Sequence, residues 1–147
     1  MDIKKESIII KTAFKYAIPF IFLYGLYVLA HGESSPGGGF QAGGLMSIVV
    51  ILSRLIEGDK ASINIKGDKS LIIAGLGALL YALVGWISIA FGGYFLEYGA
   101  LIPFDMSLHS KHEWGILLIE SGVTICVMAT IITIFDAITT KGEKDVN

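Results

Sequence analysis

The chain of 147 residues is 54% hydrophobic and only 16% charged, with a mean hydropathy of +0.71 and a formal net charge of −2. This composition is typical of an integral membrane protein and excludes an extended basic surface for binding nucleic acid. Cys126 is the single cysteine and lies in an apolar stretch. A disulfide framework and a cysteine-based metal site within this chain are therefore excluded.

Four apolar stretches are long enough to cross a membrane. They predict an all-α membrane protein with four transmembrane helices, forming one integral-membrane domain over residues 1–147. The spans cover about residues 12–30, 37–55, 71–91 and 114–135. The end of the first stretch, Val28 to Ala30, also fits a signal-peptide cleavage pattern, which is the alternative interpretation of that segment. Small residues at three- and four-residue spacing in the third span favour close helix packing.

Basic residues are concentrated on one side of this four-span arrangement. The N-terminal tail, the connection between the second and third spans, and the C-terminal tail together hold ten: Lys4, Lys5, Lys11, Lys15, Arg54, Lys60, Lys66, Lys69, Lys141 and Lys144. The two opposite connections hold one, Lys111. By the positive-inside rule, both termini are expected to be cytoplasmic in a multi-pass protein of the cell membrane.

A glycine-rich stretch, HGESSPGGGFQAGGL, covers residues 31–45. Pro36 has a fixed φ and no N–H, which suits the first position of a helix with Ser35 as its N-cap. Gly39 and Gly43 form a G-x-x-x-G pair, which in an apolar helix provides a groove for another backbone. The stretch is expected to fix the joint between the first two spans. A phosphate-binding loop is the soluble alternative, but G-x-x-x-x-G-K-[ST] is absent.

Glu120 is a carboxylate well inside a predicted span, where it is costly and normally directed toward protein or water. It lies six residues beyond Trp114, which is about 9 Å along a helix. Gln41 enters the second span at a comparable depth and is placed to face Glu120, while Thr124 lies one turn further on the same helix face. These three residues are candidates for an ion path. The alternative is a structural hydrogen bond between helices or a contact with a partner subunit.

Other polar residues lie at the predicted membrane faces. Asp136, at the inner end of the fourth span, is expected to anchor the helix by pairing with Lys15 or Arg54. Histidines and glutamates at the outer ends are expected to be solvated, with a pH-sensitive cluster as the alternative: His31, Glu33, His109, His112 and Glu113. The zinc signature H-E-x-x-H is absent, and no nucleophile is paired with a base. We expect no cofactor, metal ion or enzyme activity in this chain.

The glycine-rich stretch resembles a loop of the MnhB-like subunits of the Mrp-type multisubunit cation/proton antiporters, which has the form H-x-x-x-P-G-G-G-F-x-G-G. The residues close to that pattern are His31, Pro36, Gly37, Gly38, Gly39, Phe40, Gly43 and Gly44. Ala42 separates Gln41 from the glycine pair, which is a small departure in spacing. The resemblance extends to the chain length, the four spans and the embedded Glu120.

This resemblance implies an accessory membrane subunit of an assembly that exchanges sodium or another monovalent cation for protons. Its partners would be the larger membrane subunits, similar to the proton-pumping antiporter subunits of respiratory complex I, and the lipid bilayer, with Na+ and H+ as transported ions. Similar subunits occur in archaeal membrane-bound hydrogenases and sulfur-reducing complexes, which are the alternative assemblies. A purely structural scaffold is a second alternative. A homo-oligomeric small transporter is disfavoured, because no internal repeat is evident between the two halves.

Overall fold

A computed structural model of the chain describes residues 3–34, 37–58, 61, 63–65, 67–101 and 107–145. Five helices lie in these residues: α1 (Ile3–Ala30), α2 (Gly39–Glu57), α3 (Asp68–Ala90), α4 (Tyr98–Leu101) and α5 (Leu108–Asp145). The same residues contain no β-strand. The predicted all-α class is therefore confirmed.

Within the described residues, four helices are long and apolar enough to cross a membrane: Ile8–Ala30, Gly39–Glu57, Asp68–Ala90 and Leu108–Thr139. The predicted number of spans is confirmed. Helix α5 extends beyond the predicted span of residues 114–135 at both ends. The polar residues that flank the apolar run include good helix formers at both ends, namely Lys111 and Glu113 before it and Lys141, Glu143 and Lys144 after it.

The longest helix, α5, forms the centre of the bundle and packs against α3, α2 and, less extensively, α1. Helix α2 runs parallel to α5, because Gly39 lies beside Val123 and Gly43 lies beside Val127. Helix α1 packs against α2, where Gly25 lies beside the side chain of Leu45. We call the end of the bundle where α2 and α5 begin the motif end.

Small residues bring α3 and α5 into backbone contact. A Cβ atom at Gly77 would lie 2.5 Å from the backbone nitrogen of Cys126 and 2.7 Å from the backbone oxygen of Gly122. Further along this antiparallel pair, the hydroxyl groups of Ser70 and Thr133 lie 2.8 Å apart. Close packing of the third span through small residues, as the sequence predicts, is therefore present at Gly77.

An ion pair closes the opposite end of the bundle, which we call the Arg54 end. Nη2 of Arg54 lies 2.5 Å from Oδ1 of Asp136, and the two side chains are 12% and 14% exposed. Arg54 also donates to the backbone oxygen of Ile65 at 3.2 Å, while the backbone N–H of Gly67 donates to Asp136 at 3.0 Å. Of the two partners predicted for Asp136, the structure selects Arg54. The pair ties the connection between α2 and α3 to α5.

Helix α2 begins later than the sequence predicts. Its first residue is Gly39, and its N-cap is Gly38, which has a φ of 112° and a ψ of −162°. Glycine tolerates this positive φ, which is incompatible with a helix running through the position. The prediction that the helix begins at Pro36 with Ser35 as its cap was therefore wrong. Ser35 and Pro36 themselves lie outside the described residues.

Candidate functional site

The carboxylate of Glu120 lies where the loop after α1 meets α5. A Cβ atom at Gly38 would lie 2.5 Å from Oε1 of Glu120, and one at Gly32 would overlap the same carboxylate. The Glu120 side chain is half-buried. These two glycines therefore leave the space that the carboxylate occupies, and a larger residue at either position would require Glu120 to move.

The first turns of α2 pack against α5 beside this carboxylate. A Cβ atom at Gly39 would lie 2.9 Å from Cβ of Val123, and one at Gly43 would lie 2.8 Å from the backbone oxygen of Thr124. Both distances are shorter than side-chain contacts allow, so this G-x-x-x-G pair forms a groove for another backbone, as predicted. Gly44, in contrast, has open space at the position of a side chain.

Thr124 is buried at this helix crossing, with 3% of its surface exposed. Its hydroxyl group lies 2.7 Å from the backbone oxygen of Glu120 and 3.1 Å from the backbone oxygen of Gly39, and it can donate to either. The Thr124 hydroxyl therefore links α5 to the first residue of α2, one helical turn from the Glu120 carboxylate.

Gln41 lies on the other side of α2. The face of α2 that meets α5 includes Gly39, Ala42 and Gly43, which are buried, whereas Gln41 is exposed. Two residues along an α-helix correspond to a rotation of about 200°, which directs Gln41 away from the side of Gly39. Gln41 therefore does not face Glu120, although the two residues lie at a similar level along the bundle.

A cavity of about 450 Å³ lies beside Glu120 at the motif end. Its walls are the end of α1, the loop that follows, and the first turns of α5. Leu29, Trp114 and Leu117 contribute apolar surface, while Glu33 and Glu120 contribute carboxylates. The half-buried carboxylate of Glu120 thus borders a space that water or a cation can occupy.

Three polar side chains meet at this cavity. Nε2 of His109 lies 3.1 Å from Oε1 of Glu113, one turn along α5. One ligand atom from each of Glu33, His109 and Glu113 lies within 4.8 Å of the others. All three side chains are exposed. The spacing of His109 and Glu113 is visible in the sequence, but the approach of Glu33 was not predicted.

Helix α4 covers α5 at the motif end through Tyr98. A Cβ atom at Gly115 would lie 2.6 Å from the Tyr98 ring, and the ring of His112 lies edge-on to Tyr98 with 6.1 Å between centroids. Burial raises the pKa of the Tyr98 phenol, with smaller contributions from Tyr81 and Glu120. The phenol therefore stays protonated at neutral pH and remains a hydrogen-bond donor.

The two ring-bearing residues of the predicted motif have different surroundings. His31 stacks on Tyr27 with 4.1 Å between ring centroids, and its Nδ1 lies 3.1 Å from the Tyr27 backbone oxygen. Phe40 is 72% exposed, so its ring points away from the joint between α1 and α2. Gly37 is also exposed. The contacts at the joint are made by Gly38 and the following helix rather than by the Phe40 ring.

Comparisons with known proteins cover most of the bundle. A family model described as a domain related to the MnhB subunit of Na+/H+ antiporter matches residues 9–133. A Staphylococcus haemolyticus protein with the name antiporter subunit mnhB2 is 31% identical over 139 residues, which are 92% of this chain and 96% of the relative. A Na+/H+ antiporter subunit of Bacillus subtilis is 28% identical over 135 residues, covering 87% and 94% of the two chains. The match to the family model includes the glycine-rich loop and Glu120.

Proposed function

The chain belongs to the family of the MnhB subunit of Na+/H+ antiporters, and we propose that it is the accessory MnhB-type subunit of a multisubunit Na+/H+ antiporter. The names of its relatives favour this assembly over the hydrogenase and sulfur-reducing complexes that the sequence resemblance also implies. Its role is that of a transport subunit rather than an enzyme. Its partners are the other antiporter subunits, and it resides in the cell membrane.

The proposed orientation has both termini in the cytoplasm. Support comes from the charge distribution, since Lys11, Lys15, Arg54 and Lys69 all lie toward the Arg54 end, whereas Lys111 lies toward the motif end. Basic residues near span ends favour the cytoplasmic side. In this orientation the cavity beside Glu120 opens to the outside of the cell.

Glu120 is the residue that we propose carries the proton or holds the cation. An ionisable residue within a membrane helix normally faces protein or a water-filled space and marks an ion pathway. The Glu120 carboxylate borders a cavity and lies in the space left by Gly32 and Gly38. This placement is the single observation that carries the proposal.

Thr124 and Gln41 are the other two residues of the proposed ion path, and their surroundings differ. The Thr124 hydroxyl and the backbone oxygens around it supply oxygen atoms, which hard cations prefer as ligands. Gln41 is exposed on α2, so it would border the path only where another subunit packs against that side. Its contribution therefore depends on the assembled complex.

The test is Na+/H+ antiport in membrane vesicles that contain the complex with Glu120→Gln. We expect antiport to fall at least tenfold while the same subunits still co-purify with the chain. Glu57→Gln is the matched control, because Glu57 is an exposed carboxylate at the Arg54 end. Normal antiport in a fully assembled Glu120→Gln complex would remove Glu120 from the ion path.

A purely structural scaffold is the second candidate function. Close backbone contacts at Gly39 and Gly43 and the outward ring of Phe40 favour it, since each would serve assembly without contacting an ion. In that case, Gly43→Ala and Phe40→Ala would reduce the amount of assembled complex. Antiport per assembled complex would then be unchanged in every variant, including Glu120→Gln.

A further inference from the structure

We propose that Glu33, His109 and Glu113 form a binding site for a divalent transition-metal ion of the zinc class at the cavity of the motif end. The three residues come from two separate parts of the chain, namely the loop after α1 and the first turns of α5. The site goes beyond the proposed ion path, because it takes a different ion and does not use Glu120 as a ligand. It replaces the sequence-based expectation that no metal ion binds this chain, because that expectation did not include the approach of Glu33 to His109 and Glu113.

The positions of the ligand atoms suit a single ion. Two ligands that bind one zinc ion tetrahedrally at about 2.0–2.1 Å lie about 3.3–3.4 Å apart. Nε2 of His109 and Oε1 of Glu113 are already 3.1 Å apart, on one face of α5. Glu33 completes the set with a ligand atom within 4.8 Å of the other two. A shift of about 1–2 Å by its exposed side chain closes the site.

The charges around the cavity favour a bound cation. Among the described residues that line it, Glu33, Glu113 and Glu120 are carboxylates, and His109 is the one side chain that can carry a positive charge. Carboxylates that share a cavity repel one another, and a divalent ion between Glu33 and Glu113 offsets this repulsion.

The donor atoms favour a transition metal over calcium or magnesium. An imidazole nitrogen with carboxylate oxygens is a common zinc ligand set, and three protein ligands leave a fourth position for water. Calcium and magnesium prefer sites made of oxygen atoms alone. A bound ion would join the loop after α1 to α5, because Glu33 lies on the loop while His109 and Glu113 lie on the helix.

The experiment is zinc binding by the full chain purified in mild detergent with the subunits that co-purify. The sample is stripped with a chelator and titrated with Zn2+, and bound zinc is measured by elemental analysis and by competition with a zinc indicator. We expect His109→Gln and Glu33→Gln each to bind one zinc ion fewer per chain, or to bind it at least about tenfold more weakly. Loss of a group that only orients a metal ligand already costs about 10- to 100-fold.

The matched control is His112→Gln, because His112 lies on the same helix but packs against Tyr98 instead of lining the cavity. We expect this variant to bind zinc as the wild type does. Equal zinc binding by wild type, His109→Gln and Glu33→Gln would overturn the proposal. A loss in His109→Gln alone would also overturn it, since the ion would then be held without the loop. Where one variant fails to assemble, Glu113→Gln replaces it with the same expected loss.

Discussion

The hydroxyl group of Thr124 lies 3.1 Å from the backbone oxygen of Gly39 and joins α5 to the first residue of α2. The same hydroxyl lies 2.7 Å from the backbone oxygen of Glu120. Thr124 is therefore positioned where the glycine-rich loop, two helices and the embedded carboxylate meet. A variant that lacks this hydroxyl group therefore distinguishes a role of Thr124 in helix packing from a role in ion transport.

Thr124→Val removes this hydroxyl while keeping the shape of the side chain. Hydrogen bonds between membrane helices contribute on average about 0.6 kcal/mol, so the free energy of unfolding should fall by about that amount. If Thr124 borders the ion path, Na+/H+ antiport in vesicles should fall by a much larger factor, at least about tenfold. Thr124→Ser retains the hydroxyl and should retain antiport. Normal antiport in the valine variant would restrict Thr124 to packing.

Gly77→Ala should separate α3 from α5. The added methyl group would lie 2.5 Å from the backbone nitrogen of Cys126 and 2.7 Å from the backbone oxygen of Gly122, and backbone atoms cannot rotate away. Overpacking of this kind costs about 1–3 kcal/mol, which a denaturant titration of the detergent-solubilised chain would measure. Gly75→Ala is the matched control, since a Cβ atom there meets open space. It should be neutral or stabilising by up to about 1 kcal/mol, and equal losses would contradict the observed packing.

Asp136→Asn should destabilise the Arg54 end of the bundle. The substitution keeps the size of the side chain but leaves the Arg54 guanidinium, whose side chain is 12% exposed, without its opposite charge. Removing one partner of a fully buried ion pair costs about 3–5 kcal/mol, and an exposed pair contributes about 1 kcal/mol or less, so the free energy of unfolding should fall by about 1–3 kcal/mol for this half-buried pair. Glu57→Gln, an exposed change at the same end, should alter stability by less than about 0.5 kcal/mol. If Asp136→Asn lowered the free energy of unfolding no more than Glu57→Gln does, the ion pair would be solvated.

Hydropathy and residue spacing predicted the parts of this fold that depend on local sequence. Long apolar runs define the four spans, because a helix satisfies all of its backbone hydrogen bonds within one segment in lipid. The G-x-x-x-G spacing of Gly39 and Gly43 predicted a close helix contact, because residues three or four positions apart lie on the same face of a helix. A pairing of Asp136 with either Lys15 or Arg54 was predicted from opposite charges at the same membrane face, and the structure selects Arg54.

The sequence did not predict the features that depend on tertiary packing. The start of α2 depends on the φ of Gly38, which glycine permits but does not impose. The direction of Gln41 depends on the rotation of α2 about its axis, and the contacts of Gly39 with α5 set that rotation. Glu33 approaches His109 because the loop after α1 packs near α5, and no sequence periodicity relates these positions.

Gly32→Ala should impair the Glu120 site without unfolding the bundle. The added methyl group would overlap the Glu120 carboxylate, which can shift because it is the end of a flexible side chain. We expect antiport to fall while assembly is retained. In a Glu120→Asp background the carboxylate is shorter by one methylene group, so Gly32→Ala should cause a smaller additional loss of antiport. Additive losses of antiport in this double-mutant cycle would contradict direct contact between the two residues.

Accessibility of single cysteines tests the proposed orientation. Cys126 is the one cysteine of the chain, so Cys126→Ser provides a background for Ser34→Cys at the motif end and Thr139→Cys toward the Arg54 end. Both positions are exposed. Because basic residues favour the cytoplasmic side, a membrane-impermeant maleimide should label Ser34→Cys in intact cells and Thr139→Cys only after permeabilisation. The reverse pattern would place the cavity beside Glu120 on the cytoplasmic side, so that ions would enter it from within the cell.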